Sequence, residues 1–136
     1  MTHHFPVRVY YEDTDAGGIV YYANYLRFAE RARSEMLRAT GFESAQMMDD
    51  FGAALAVRRC VVDYLKPARL DDLLDVETSV KAVRGASMEL RQRFFCQGTA
   101  LVNMEITLAF IDTLKGLPKR LPGPLKEAIA ALMTPQ

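Results

Sequence analysis

The chain has 136 residues, with 17 Lys+Arg against 17 Asp+Glu and therefore no formal net charge. Half of it is hydrophobic and a quarter is charged, which excludes intrinsic disorder, and the missing basic excess excludes an ordinary nucleic-acid binder. The length suits a single domain over residues 1–136, large enough to bury roughly two-thirds of its unfolded surface without a disulfide or metal staple.

Taken in chain order, Val7–Tyr11 alternates and is rich in β-formers, which predicts a first strand. Glu12-Asp13-Thr14-Asp15-Ala16-Gly17-Gly18 mixes acids with paired glycines and predicts a loop. From Asn24 to Thr40 the pattern becomes helical, with Tyr25, Phe28, Ala29, Ala32, Met36 and Ala39 on one stripe. Arg27, Glu30, Arg31, Arg33, Glu35 and Arg38 are expected on its solvated surface, held by intrahelical charge pairs. Gly41 stops it. Ser44 is expected to cap a short helix that turns Met47, Met48 and Phe51 inward.

Four strands follow, at about Leu55–Leu65, Leu73–Val83, Ser87–Cys96 and Leu101–Ile111. Arg84-Gly85-Ala86 and Gln97-Gly98-Thr99 are short enough to be hairpin links, so the last three strands form an antiparallel meander. Leu74, Val76, Thr78, Val80 and Ala82 alternate with Asp75, Glu77, Ser79 and Lys81, giving that meander one face to pack on the long helix. A last helix is expected at about Pro124–Met133, with its proline at the first position. No βαβ repetition is visible, so the fold class is α+β: a curved antiparallel sheet of about five strands around one long central helix.

Few residue types are available for chemistry. The two histidines, His3 and His4, sit at the N-terminus, away from any candidate nucleophile. Cys60 and Cys96 lie in apolar strand-like runs and read as buried structural thiols of a reducing compartment. No metal-ligand spacing is present, so no metal is expected. No apolar run approaches the ~18 residues of a membrane span. The Met1–Arg8 segment lacks the layout of a signal peptide, so a cytoplasmic location and no stable membrane insertion are expected.

The unusual segment is Tyr10 to Tyr25, which places Glu12, Asp13 and Asp15 before a glycine pair and a helix start. Such carboxylates can simply cap the helix. Alternatively, one faces a carbonyl polarised by free backbone N–H groups near Tyr21 or Tyr22, and attacks it or activates water. Three other motifs fail. A calcium loop needs an oxygen ligand and a glutamate where Gly17 and Asn24 stand. A phosphoaspartate site needs Thr or Val at Gly17 and a longer chain. A P-loop needs Lys-Ser/Thr after its glycines.

Tyr11-Glu-Asp-Thr-Asp-Ala-Gly-Gly-Ile-Val-Tyr21, Ala23-Asn-Tyr25 and Phe28-Ala-Glu-Arg-Ala-Arg33 resemble the hotdog-fold acyl-CoA thioesterases. Within them the sequence is most similar to the Tol–Pal-associated branch of the 4-hydroxybenzoyl-CoA thioesterase family. Asp63-Tyr-Leu-Lys-Pro-Ala-Arg-Leu-Asp-Asp72 and Val83-Arg-Gly-Ala-Ser87 carry the resemblance through the second half, so that it spans about Val7–Pro122.

The resemblance implies hydrolysis of a fatty or aromatic acyl-CoA to free acid and CoA. Asp15 matches the family's catalytic aspartate, acting as nucleophile or general base. Tyr22 matches the position whose backbone N–H polarises the thioester carbonyl, and Gly18 the glycine that keeps the pocket open beside it. Asp13 is assigned to loop structure. Arg84, Gly85 and Ser87 match a hairpin that contacts CoA in related enzymes, and Lys66, with Arg69, is a further cation for its phosphates. CoA is then part of the substrate and no separate cofactor is implied. A homo-oligomer follows as well, a dimer joined sheet edge to sheet edge or a tetramer of such dimers. Acyl carrier protein is an alternative carrier. The Tol–Pal-associated branch usually has His where this chain has Tyr22, while the 4-hydroxybenzoyl-CoA branch has Tyr; a backbone N–H role survives either. A hotdog hydratase or dehydratase, and an acyl-CoA or acyl-carrier-protein binding module, are the alternative readings.

Overall fold

The computed structural model describes residues 2–133. Its elements in order are β1 (Thr2–Arg8), a single 3₁₀ turn (Tyr11–Asp13), α1 (Asn24–Ala39), α2 (Ser44–Phe51), β2 (Ala53–Tyr64), β3 (Leu73–Val83), β4 (Ser87–Cys96), β5 (Thr99–Asp112) and α3 (Gly123–Ala131). The strands form one antiparallel sheet in the order β1-β3-β4-β5-β2. β3, β4 and β5 are the expected meander, and β1 and β2 are its two edges. This is the α+β architecture the resemblance implies.

The alternation in β3 is the physical reason the sheet has two different faces. Leu74, Val76, Thr78 and Val80 are buried toward the helix, level with Leu90, Gln92 and Phe94 of β4 and Met104 and Ile106 of β5. The outer face is charged. Arg93 bridges to Glu77 at 3.2 Å, Arg91 to Glu105 at 3.1 Å, and His4 lies 2.9 Å from Asp75. Such exposed pairs contribute little singly but keep this face wet. His4, Asp75 and Glu77 bring ligand-type atoms within 4.8 Å of one another, a juxtaposition that linear spacing cannot show because β1 and β3 are far apart in sequence.

α1 buries Tyr25, Phe28, Ala29, Ala32 and Met36 as its spacing predicts, but the stripe is displaced. Ala39 is exposed, and Arg33, expected on the surface, is only 8% exposed. Its Nη1 donates to Gln92 Oε1 at 3.0 Å, and Gln92 Nε2 donates to the Ala29 carbonyl and to Thr78 Oγ1, each at 3.0 Å. This buried chain of polar contacts ties the middle of α1 to β4 and β3. The small Ala29 side chain leaves its carbonyl open to that approach.

Other boundaries shift for local reasons. The first strand is Thr2–Arg8 rather than Val7–Tyr11, because Asp13 Oδ2 accepts the Tyr10 N–H at 2.8 Å and turns the chain there. Glu43, not Ser44, precedes α2, with no side-chain cap, and Met48 is half exposed while Met47 is buried. α3 begins at Gly123, so Pro124 stands second in the helix. Cys60 and Cys96 are free but only half-buried. Among the described residues no helix is long and apolar enough to cross a membrane.

His3 lies on the inner side of β1, with its Nδ1 buried and without a hydrogen-bond partner. Burial, and then His4, hold its pKa below the ordinary histidine value. A lowered folded-state value means that the unfolded chain binds the proton more readily, so this contribution is complete above about pH 6.5 and declines as pH falls. Amide protection factors in β1, taken relative to the intrinsic exchange rate at each pH, should therefore fall between pH 7 and pH 5 more than those in β4. His3→Phe should remove the difference; an equal fall in both strands would contradict the assignment.

Candidate active site

The Tyr10–Tyr25 segment wraps the N-terminal end of α1. Asp13 is its structural centre: its carboxylate holds the Tyr10 N–H, and its carbonyl accepts the Tyr21 N–H at 3.0 Å and the Asn24 side-chain amide at 2.9 Å. Asp13 is thus part of the loop's framework, as expected. Between the Thr14–Val20 bridge the chain makes a tight turn that exposes Asp15. The Asp15 backbone N–H donates to Ile19 O at 2.9 Å, its carbonyl accepts the Gly18 N–H at 3.1 Å, and its Oδ1 accepts the Gly17 N–H at 2.8 Å. The second carboxylate oxygen takes no hydrogen bond from the described residues.

Two glycines make this turn possible for different reasons. Gly18 has φ +79°, a left-handed conformation that costs other residues roughly 1 kcal/mol or more. A side chain there would meet no atom of the chain within 4 Å, so within the chain the requirement for glycine is the backbone conformation. Gly17 is the close neighbour: a Cβ there would stand 3.2 Å from Asp15 Oδ1.

Tyr22 falls one residue before the helix cap Ala23. The Val20 and Tyr21 N–H groups are taken by Ala68 O and Asp13 O, and that of Asn24 by Tyr21 O, whereas the Tyr22 N–H takes no acceptor from the described residues. Its ring is 62% exposed. The Tyr64 hydroxyl donates to the Tyr22 carbonyl at 3.2 Å, and the Tyr64 ring meets Tyr22 edge-on, with centroids 6.2 Å apart. Buried Tyr25 accepts the Ala68 N–H at 3.0 Å on its hydroxyl and packs between Tyr64 and Phe94. Burial holds the Tyr25 hydroxyl above the ordinary tyrosine value, so it stays protonated.

Beside this cluster lies a cavity of about 290 Å³ lined by Ile19, Tyr22, Tyr25, Tyr64, Leu65 and Lys66, among others. Tyr64 and Tyr25 were not singled out as site residues from the sequence. Their Asp63-Tyr64-Leu65 and Asn24-Tyr25 contexts carried the resemblance, and aromatic rings at the end of a strand and the first turn of a helix were the available signal.

The candidate phosphate contacts are not gathered together. Lys66 lines the Tyr22 cavity. Arg84, Gly85 and Ser87 stand at the other end of the sheet. Tyr64 pairs with Val102 and Ser87 with Ala109, positions seven apart on β5, or roughly 24 Å. Within one chain, therefore, Lys66 and the hairpin cannot form a single cluster. Arg84 is already paired with Glu89 at 3.1 Å, and Ser87 is buried, 7% exposed. Ser87 and Ala86 nevertheless line a separate cavity of about 350 Å³, with Arg58 and Pro118. Arg58 projects there from a β-bulge between Val57 and Arg59, a local irregularity that periodicity does not reveal.

Residues 9–129 match the family described as the thioesterase-like superfamily. The acyl-CoA thioester hydrolase YbgC of Escherichia coli O6:H1 is 46% identical over 119 residues, covering 87% of this chain and 88% of that protein. The acyl-CoA thioesterase YbgC of Haemophilus influenzae is 44% identical over 124 residues, covering 91% of each. The solved 1,4-dihydroxy-2-naphthoyl-CoA thioesterase Slr0204 of Synechocystis superposes with a TM-score of 0.89, covering 99% of this chain and 100% of that one. At 21% identity that likeness speaks for the fold alone. A match over nearly the whole length, close relatives that agree with it, and the sheet wrapped around α1 lead to one assignment: the chain belongs to the thioesterase-like superfamily, with its hotdog fold.

Proposed function

We propose that this protein hydrolyses acyl-CoA thioesters to free acid and CoA, with Asp15 as the attacking or water-activating carboxylate. The observation that carries this reading is the pairing of two idle groups on one loop. Asp15 presents a carboxylate oxygen, and Tyr22 a backbone N–H, each with no partner among the described residues, on the segment that leads into α1. In the proposed mechanism the thioester carbonyl accepts the Tyr22 N–H, which stabilises the oxyanion as it forms. Asp15 attacks the carbonyl carbon or takes a proton from water, and CoA thiolate leaves. Gly18 supplies the backbone turn that presents Asp15. The tyrosine side chain at position 22 lies on the cavity wall, where it contacts the acyl group rather than transferring a proton.

The scattered cations support a homodimer. β2 is an edge strand of 12 residues, and long apolar edges invite pairing. Val57, Val61 and Tyr64 along it, and Leu65 just past its end, are each more than 40% exposed. If two copies pair their β2 strands antiparallel, the Ala53 end of one lies beside the Tyr64 end of the other. The Arg84–Ser87 hairpin and Arg58 of one copy then approach the Tyr22–Lys66 end of its partner. CoA phosphates would be held by Arg84, Arg58 and the Gly85 backbone across that boundary, with Lys66 nearer the thioester.

A panel of short, long and aromatic acyl-CoAs, followed by release of free thiol, tests the reading. Saturable turnover of at least one of them is the expected result. Binding without turnover would favour an acyl-CoA binding module, and hydration of an enoyl-CoA would favour a hydratase.

A further inference from the structure

The seam between α1 and β2 carries a second feature that the reaction as described leaves unused. Its N-terminal end holds the Tyr22–Tyr64 cavity. Farther along, between α1, α2 and the start of β2, lies another cavity of about 290 Å³ lined by Arg33, Leu37, Met47, Leu55, Val57 and Leu108. Its apolar side chains share the wall with Glu30, Ser34, Ser44 and Arg33. Among these polar groups Arg33 is more than nine-tenths buried and still obligately charged.

Charge balance makes Arg33 informative. Its one acceptor in the described residues is the neutral Gln92 Oε1, and no carboxylate lies within ion-pair distance of it. The Gln92 amide N–H groups serve Ala29 and Thr78. The guanidinium's other nitrogens take no acceptor from the described residues and are not sealed from solvent, so they are open to a ligand at the cavity wall. A largely buried cation with no carboxylate in contact gains from an anion delivered from outside the chain. Glu30 also lines this cavity and favours the charge on Arg33, but it is exposed and beyond ion-pair distance. Solvent screens its repulsion of an incoming anion.

We propose that the acyl chain runs along the α1–β2 seam from Tyr22 and that Arg33 receives a carboxylate at its far end, making medium-chain dicarboxylic acyl-CoA thioesters the preferred substrates. From Tyr25 to Arg33 the helix advances eight residues, about 12 Å, a span that suits a medium chain. The apolar wall contacts the methylenes, and the buried charge reads the terminal group. This inference rests on the acyl-CoA hydrolase reading above and names its substrate class.

The test compares kcat/KM of the full chain for the mono-CoA thioester of dodecanedioic acid with that for dodecanoyl-CoA. The dicarboxylic substrate should be favoured at least about tenfold, as one charge-assisted pair allows. Arg33→Gln should bring the ratio to about one, and Arg33→Lys should retain part of it. A wild-type ratio near or below one overturns the proposal, as does an Arg33→Gln variant that lowers both substrates alike. If the glutamine variant does not fold, the wild-type ratio alone decides. If neither thioester is hydrolysed, calorimetric titration with free dodecanedioate and dodecanoate separates the two ideas. Tighter binding of the diacid keeps the Arg33 site while the hydrolase reading falls; equal binding overturns the site.

Discussion

Asp15→Asn is expected to lower kcat for acyl-CoA hydrolysis by about 10²–10⁴-fold, the range for losing a group that attacks or moves a proton in the transition state. The fold should be unaffected. Asp15 is exposed, and among the described residues its side chain accepts one hydrogen bond, from the Gly17 N–H, which an asparagine Oδ1 can accept equally well. The loss should fall on kcat more than on KM, since binding depends on the α1–β2 seam and on the cations. Asp13→Ala is the control. Asp13 accepts the Tyr10 N–H through its carboxylate, so its replacement should loosen the loop and cost about 1 kcal/mol of stability rather than abolish chemistry. Thiol release measured beside urea denaturation distinguishes the two. A folded Asp15→Asn protein with near-native turnover would remove Asp15 from the mechanism.

The second large effect is on stability. Gln92→Leu should cost about 3–5 kcal/mol, because it strips Arg33 of its acceptor among the described residues and takes the side-chain donor away from the Thr78 hydroxyl and the Ala29 carbonyl. The pair should also be strongly coupled. Adding Arg33→Met to Gln92→Leu replaces the buried charge by an apolar side chain, so the double variant should recover much of the loss. Urea denaturation of the two single variants and the double variant closes the cycle. Additive losses would mean that Arg33 and Gln92 stabilise the fold independently, contrary to the geometry.

Position 33 also shows where the linear reading went astray. Arginine looks like surface, and on α1 it stands among five other charged residues expected there. Yet it lies four residues after Ala29 and four before Leu37, both buried, so helical spacing alone placed it on the inner face. Residue type was given more weight than position. β3 and β4 went the other way, with both ends as expected, because period-two alternation between Gly and Pro punctuation is a strong local signal. β1 was misplaced because His3, His4 and Pro6 are weak strand formers that pairing with β3 holds extended.

By itself the sequence determined the α+β class, the long helix, the meander and the loop that presents Asp15. Each of these follows from the spacing of residues close together in the chain, where backbone periodicity and turn chemistry operate. Only the tertiary structure decided that β2 lies on an edge, that Lys66 and Arg84 stand at opposite ends of the sheet, and that Arg33 is buried beside a cavity. Those features arise from pairings such as Arg33 with Gln92 and Tyr22 with Tyr64, across 59 and 42 positions. No local pattern encodes such contacts, because they come into being only when the sheet closes on the helix.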